Sequence, residues 1–388
     1  MPEVRIGLVG AGYMGRAHAT AYKNVPLVFG NEPAVPALEM VADIDDERAK
    51  AAAESMGFRR WTADWRELVN DPNVDVVDIT ATNNVHAEIT IAAAEAGKPV
   101  YCEKPLAMNA PEAKAMVEAT EAAGVTTLIG FNYLKIPSVG YARELIRGGD
   151  IGEITQFRGT YDMDQMTDPR FPFTWRLDRK LAGSGVLGDM ASHVLSFSQF
   201  LVGDVVEVCG HSGIFVKERP VPTAGTGHTA RAPDDAPMRE VENDDVVQFL
   251  ARYDNGAMGI IESSRVGTGR KQWLTFEIHG SKGALWFTQE RMNELMFYRH
   301  TDPPAERGYK NVLTNAEQPW YGAYHPIAGN ELGYNDQKVI EARALIEAIS
   351  SGEPAEPDFR FGYKNLQVVD AVLKSIDERR WVGTDEVG

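Results

Sequence analysis

Three stretches of this chain combine residue types and spacings that can do chemistry. The first, Gly10-Ala11-Gly12-Tyr13-Met14-Gly15, is a G-x-G-x-x-G run between the apolar, β-prone residues 4–9 and a helix-compatible segment reaching Pro26. In that strand, turn and helix order such glycines bind a dinucleotide; outside it the same letters are only a glycine-rich turn. Gly10 permits the tight turn, Gly12 lets backbone approach a pyrophosphate with no Cβ in the way, and Gly15 allows helix and strand to pack closely. The helix N-terminus, opening with Tyr13 and Met14, then faces the anion. A second apolar run, 39–42, ends in Asp43, whose carboxylate can accept hydrogen bonds from an adenosine ribose, although a plain strand-end turn residue would look the same. Asp43 lies 43 − 15 = 28 residues beyond Gly15, more than the usual interval of about 20, and the Pro-rich residues 25–37 take up the excess as an expected surface loop. Ile44 follows with no Arg beside it, so a 2′-phosphate would meet a carboxylate without a counter-charge. NAD is therefore expected and NADP disfavoured.

The second stretch is Glu103-Lys104-Pro105, at the carboxyl end of a strand read at 99–102, where open α/β sheets place their ligands. The third is Gly183-Ser184-Gly185-Val186-Leu187-Gly188-Asp189-Met190-Ala191-Ser192-His193, in which four-residue spacing puts Asp189 and His193 on one face of a helix. Taken singly, a Lys at a strand end is a solvated charge and an Asp/His pair is helix-surface decoration.

The elements that must position these groups follow from periodicity. Residues 74–80 and 125–129 read as further buried strands, and 84–96 as a helix stopped by Gly97. Asn109 reads as an N-cap, with Pro111 in the first turn and Glu112 three residues on, opening a helix that runs to Gly124. Strands separated by helices imply a parallel, doubly wound sheet. Farther along, strand-like residues 246–253 and 257–263 flank the hairpin signal Asp254-Asn255-Gly256, and 273–279 and 284–288 flank Gly280-Ser281-Lys282-Gly283. The Pro-, Gly- and charge-rich residues 217–245 read as a long excursion loop.

Composition narrows the function classes. The 388 residues, 44% hydrophobic and 24% charged, suit two or three folded domains. A formal charge of −17 repels polyanions, so nucleic acid and anionic membrane are poor partners. Cys102 and Cys209 form neither a disulfide framework nor a ligand spacing, and the eight histidines show no H-x-x-x-H, so no metal is called for. With no leader-like N-terminus and no run of about eighteen apolar residues, a cytoplasmic location is expected.

Taken together, the glycine fingerprint, Glu103-Lys104-Pro105 and the Gly183 to His193 run closely resemble the Gfo/Idh/MocA oxidoreductases, in particular members that oxidise sugars, inositols and levoglucosan. The resemblance implies a Rossmann dinucleotide-binding domain at 1–130. It also implies, at 131–388, an α+β domain with an open, largely antiparallel sheet that binds substrate and supports a homodimer or homotetramer. Lys104 would then donate to the substrate oxygen and stabilise developing alkoxide, His193 would take the hydroxyl proton, and Asp189 would orient substrate or balance charge. Weaker matches put Thr82, Asn83, His86, Glu103 and Asn132 on the cofactor side. Trp175-Arg176 would sit near the cofactor, or equally be a buried Trp with a surface Arg, and His325 and Tyr334 belong to a loop closing on substrate. Thr82 stands where the family commonly has Pro, and Leu134 where it often has Arg. The expected activity is NAD-dependent oxidation of a secondary hydroxyl on a small neutral sugar, anhydrosugar or cyclic polyol. Transient oxidation by bound NAD during glycoside processing, or non-catalytic NAD binding by a regulator, are the alternatives.

Overall fold

A computed structural model describes residues 2–222 and 232–388. The chain forms two compact units, each from two segments: Met1–Pro137 with Thr314–Lys364, and Ser138–Leu313 with Asn365–Gly388. The sequence reading drew one boundary after residue 130; the return of 314–364 to the first unit is the difference, and its cause is packing. Helix Tyr334–Ser351 places Val339, Ala342, Leu345 and Ile346 in the apolar cluster that holds Ile6, Leu8, Tyr22, Val25 and Val41. Burying such a stripe outweighs the modest entropy of closing a long loop.

The first unit is a six-stranded parallel sheet flanked by helices. In chain order its elements are β1 (Glu3–Val9), α1 (Tyr13–Phe29), β2 (Val35–Ala42), α2 (Asp46–Met56), β3 (Arg60–Thr62), α3 (Trp65–Asn70), β4 (Val76–Ile79), α4 (His86–Glu95), β5 (Val100–Glu103), α5 (Ala110–Ala123) and β6 (Thr127–Gly130). Strand order β3-β2-β1-β4-β5-β6 makes it doubly wound, with the switch point between β1 and β4. Helix ends follow local chemistry: Asp45 caps α2, Asn109 accepts the Glu112 N–H at 2.9 Å, and Gly57 and Gly124 close α2 and α5 at φ 81° and 65°. Residues 25–37 are not one surface loop. α1 continues through Pro26 to Phe29 because Val25 is fully buried and Val28 and Phe29 pack on the core, which leaves only residues 30–34 between helix and strand.

The second unit is built on a nine-stranded sheet. Its strands are β7 (Ile154–Asp162), β8 (Val205–Gly213), β11 (Val246–Tyr253), β12 (Met258–Ser264), β13 (Trp273–Gly280), β14 (Gly283–Thr288), β15 (Glu294–Arg299), β16 (Lys310–Leu313) and β17 (Val382–Gly383), with a separate ribbon of β9 (Glu218–Pro220) and β10 (Met238–Glu240). All neighbours in the large sheet run antiparallel except β7 and β12. Asp254-Asn255-Gly256 turns β11 into β12, with Gly256 at φ 87°. One face packs on helix Ser192–Leu201, where Phe197 meets Phe276 at 5.4 Å between ring centroids. On the other, Leu250 and Ile260 stand opposite each other across β11 and β12, both about half exposed. Residues 217–245 are not a bare loop: β9 pairs with β10, held by fully buried Arg219, whose guanidinium donates to the Met166 and Asp168 carbonyls. The middle of that stretch, 223–231, lies outside the described residues.

Candidate active site

The three glycines of the loop stand in different surroundings. Gly10 adopts φ 98°, the left-handed region, and a Cβ on it would sit 2.7 Å from the Ala81 nitrogen, so the loop lies against the backbone that follows β4. A Cβ on Gly15 would be 2.3 Å from the Gly10 carbonyl oxygen, whereas one on Gly12 meets nothing within 4 Å. Gly12 therefore faces open space at the N-terminus of α1, where no side chain caps the first turn. An uncapped helix start behind a Cβ-free approach is what a pyrophosphate needs, so these residues fit a dinucleotide. Tyr13 is exposed there, and Met14 Sδ takes a hydrogen bond from the Tyr334 hydroxyl at 3.7 Å.

Asp43, at the tip of β2, accepts the Ala11 N–H at 2.9 Å and the Ile44 N–H at 2.8 Å. These two bonds fix the carboxylate beside the loop and leave lone pairs for ribose hydroxyls. Asp45 and Asp46 follow, and Arg48 already pairs with Asp45 at 3.4 Å. A 2′-phosphate at this strand tip would meet the Asp43 carboxylate, which favours NAD.

Lys104 follows the last residue of β5, and its peptide N–H donates to Glu103 Oε2 at 3.1 Å. His86, expected on the cofactor side, is buried with Nδ1 3.0 Å from the Pro105 carbonyl and Nε2 3.1 Å from that of Ala81. It braces the turn after β5 against the loop after β4, and burial lowers its pKa. Asn83 is buried in the same loop, Thr82 donates to Asn84 Oδ1 at 2.8 Å, and buried Asn132 donates to Gln337 at 2.8 Å. Tyr334 and His325, assigned to a substrate loop, both belong to the first unit; His325 lies against the Tyr321 ring at 5.8 Å.

Sequence reasoning missed what stands behind Lys104. Glu103 Oε1 accepts from Lys338 Nζ at 2.5 Å and lies 3.0 Å from His18 Nε2. His18 Nδ1 pairs with Asp78 at 2.9 Å, Lys338 also pairs with Glu341 at 2.9 Å, and Tyr22 and Tyr101 donate to Asp78 and Glu341 at 2.9 and 2.6 Å. Burial opposes a charged His18 most strongly, yet Asp78 favours it, and against the opposing Lys338 the balance lifts its pKa to about 9. Burial likewise disfavours the Glu103 carboxylate, but Lys338 and His18 outweigh it and hold the group well below the usual range. One signal was present: Asp78 is a charge set between Val77 and Ile79 in a strand expected to be buried.

In the second unit, Asp189 lies in a π-helical turn, Leu187–Ala191, that runs into helix Ser192–Leu201 carrying His193. Four-residue spacing predicts one regular helix here; the wider turn is the difference, and such turns recur at functional sites. Asp244 explains it: its carboxylate accepts the Gly185 and Leu187 N–H groups, each at 2.9 Å, and a Cβ on Gly185 would strike the Asp244 backbone at 2.3 Å. Arg176 Nε lies 3.4 Å from Asp189 Oδ2, and its guanidinium covers the Trp175 ring at 4.6 Å. His193 is buried, edge-on to Tyr161 at 6.0 Å.

Comparisons with known proteins agree with this geometry. Residues 4–131 match the family described as "Oxidoreductase family, NAD-binding Rossmann fold", and 139–286 match the GFO/IDH/MocA C-terminal domain. The chain is 39% identical to levoglucosan dehydrogenase of Pseudarthrobacter phenanthrenivorans, covering 100% of both chains, and 29% identical to myo-inositol 2-dehydrogenase of Thermotoga maritima, covering 99% of both. Among solved structures it is similar to levoglucosan dehydrogenase in complex with NADH and L-sorbose, with TM-score 0.94, 39% identity and 99% of both chains covered. An NAD-binding oxidoreductase from Klebsiella pneumoniae is 42% identical with TM-score 0.93, over 98% of this chain and 99% of that one. A glycine loop open at a helix N-terminus, a carboxylate at the adjoining strand tip, two family models and a 39% identical relative over 100% of both chains agree: the chain belongs to the NAD-binding Rossmann-fold oxidoreductases with a GFO/IDH/MocA C-terminal domain.

Proposed function

We propose that this protein is a dehydrogenase that oxidises a secondary hydroxyl of a sugar, anhydrosugar or cyclic polyol to a ketone with NAD. The observation that carries it is Lys104 at the carboxyl end of β5, its peptide fixed by Glu103, in the unit whose glycine loop leaves the pyrophosphate approach open. Bound NAD supplies the hydride acceptor. Lys104, as a cation, donates to the reacting oxygen and stabilises charge building there. An imidazole nitrogen of His193 takes the hydroxyl proton, and Asp189, steadied by Arg176, orients a neighbouring hydroxyl. Gly10, Gly12 and Gly15 hold the pyrophosphate, Asp43 the ribose; Tyr13, Met14, Thr82, Asn83, His86 and Asn132 shape the cofactor surface, and His325 and Tyr334 the substrate approach. The half-exposed Leu250, Met258 and Ile260 on the open face of the second sheet support self-association as a dimer or tetramer. The described residues contain no helix long and apolar enough to cross a membrane, and a cytoplasmic location is proposed.

The test is NAD reduction by purified protein across sugars, anhydrosugars and inositols, with Lys104→Ala alongside. Turnover should fall about 10²- to 10³-fold in the variant while NADH still binds. Tight NADH binding with no net turnover on any polyol would overturn the dehydrogenase reading in favour of transient oxidation or regulation.

A further inference from the structure

The densest buried charge in the first unit lies directly behind Lys104 and is used by none of the roles above. Lys338 and His18 meet on one oxygen of Glu103, while its other oxygen receives the Lys104 peptide N–H. A Cβ on Gly130 would sit 2.8 Å from Glu103 Oε1, so bare backbone of β6 forms the far wall of the carboxylate. Three donors and a wall leave this group one orientation. We propose that Lys338 and His18 are positioning residues for Lys104, acting through the Glu103 carboxylate they hold; this rests on the assignment of Lys104 to the reacting oxygen.

Cohesion alone does not explain the cluster. A buried ion pair replaced by apolar groups of similar volume is often as stable, so Lys338, His18, Asp78 and Glu341 buried around the neighbour of Lys104 are a poor way to build a core. They are a good way to build a fixed one: Lys338 reaches Glu103 and Glu341 together, and His18 reaches Glu103 and Asp78 together. Glu103 is thereby pinned from two elements remote in the chain. An amide could not replace it, because it has one acceptor oxygen and its NH₂ would face a donor.

The experiment uses the full-length protein and compares Lys338→Met, Glu103→Gln/Lys338→Met and Tyr101→Phe with the parent. It measures NADH affinity, kcat and KM, and the rate at which an amine-reactive ester labels Lys104, read by peptide mass spectrometry. Lys338→Met should lower kcat about 10- to 100-fold, the cost of roughly an ångström of misplacement, with KM and NADH affinity within about threefold. The double variant should be within about twofold of Lys338→Met, because both changes act through one carboxylate. Labelling of Lys104 should rise at least threefold, roughly, as its anchor loosens. Tyr101→Phe removes a hydroxyl that donates to Glu341 at 2.6 Å and accepts from Lys338 at 3.3 Å while leaving all three donors to Glu103 in place, and should lower Tm while leaving kcat within about twofold. If Lys338→Met fails to fold because Glu103 and Glu341 both lose their buried partner, the double variant with Glu341→Gln added decides on the same readouts. Unchanged kcat and unchanged labelling in a folded double variant overturn the proposal while leaving the dehydrogenase reading intact. If the parent turns over no polyol, that reading falls and the labelling alone decides: a rise supports positioning, and no change overturns it.

Discussion

Alanine at Gly12 and alanine at Gly15 are the same chemical change three residues apart, and they should fail in opposite ways. At Gly15 the new Cβ lands 2.3 Å from the Gly10 carbonyl oxygen, which the Thr80 hydroxyl already holds at 2.5 Å. An ordinary carbon-to-oxygen contact is about 3.3 Å, so roughly 1 Å must be made in a loop that cannot yield without releasing Thr80. Overpacking of about 1–3 kcal/mol plus about 1 kcal/mol for the strained hydrogen bond gives a loss of about 2–4 kcal/mol, or roughly 5–15 °C in Tm. At Gly12 the Cβ meets nothing within 4 Å and φ is −71°, which alanine adopts freely. The stiffer unfolded chain offsets the poorer N-cap, leaving stability within about 0.5 kcal/mol. The same Cβ then occupies the pyrophosphate approach, and about 1–3 kcal/mol of crowding weakens NADH binding about 5- to 150-fold. Thermal unfolding and NADH titration of both variants decide the matter. Gly12→Ala binding NADH as the parent does, or Gly15→Ala unfolding at the parent's temperature, would refute the division of labour between the two glycines.

Three further outcomes are expected. Asp43→Asn with Ile44→Arg removes the carboxylate that would repel a 2′-phosphate and adds a guanidinium, so the ratio of kcat/KM for NADP over NAD should rise at least about tenfold; a parent that already prefers NADP would sink this. His18 has a folded pKa of about 9 against an ordinary 6.5, so its stabilisation is complete below about 6.5 and lost as pH rises toward 9. Denaturant unfolding should show the parent losing about 3 kcal/mol more than His18→Gln between those limits, and parallel curves would contradict it. In the second unit, buried Asp245 pairs with Arg265 at 2.8 Å and accepts the Phe215 and Val216 N–H groups, so Asp245→Ala should cost about 3–5 kcal/mol; a loss below about 1 kcal/mol would show the pair to be dispensable.

What the sequence by itself determined was every feature whose parts are neighbours in the chain. The glycine loop, Asp43 at a strand tip, Glu103-Lys104-Pro105 after a strand, the Asn109 cap and the Asp254-Asn255-Gly256 hairpin each depend on backbone conformation over a few residues, and composition plus spacing reveal that. The proposed site residues Lys104, Asp189 and His193 could be picked out for the same reason, being set in contiguous motifs. Only the tertiary structure decided where charge is buried. Lys338 meets Glu103 across 235 residues of chain, and its i,i+3 pairing with Glu341 has the pattern of a solvated helix surface. Asp244 reaches the turn before Asp189 across 59 residues. The return of 314–364 to the first unit was equally hidden, because an apolar helix stripe states that it will be buried but not against which sheet. Periodicity reports which face of an element turns inward. It carries no record of the partner that arrives from elsewhere in the chain, and a buried ionisable group is defined by that partner.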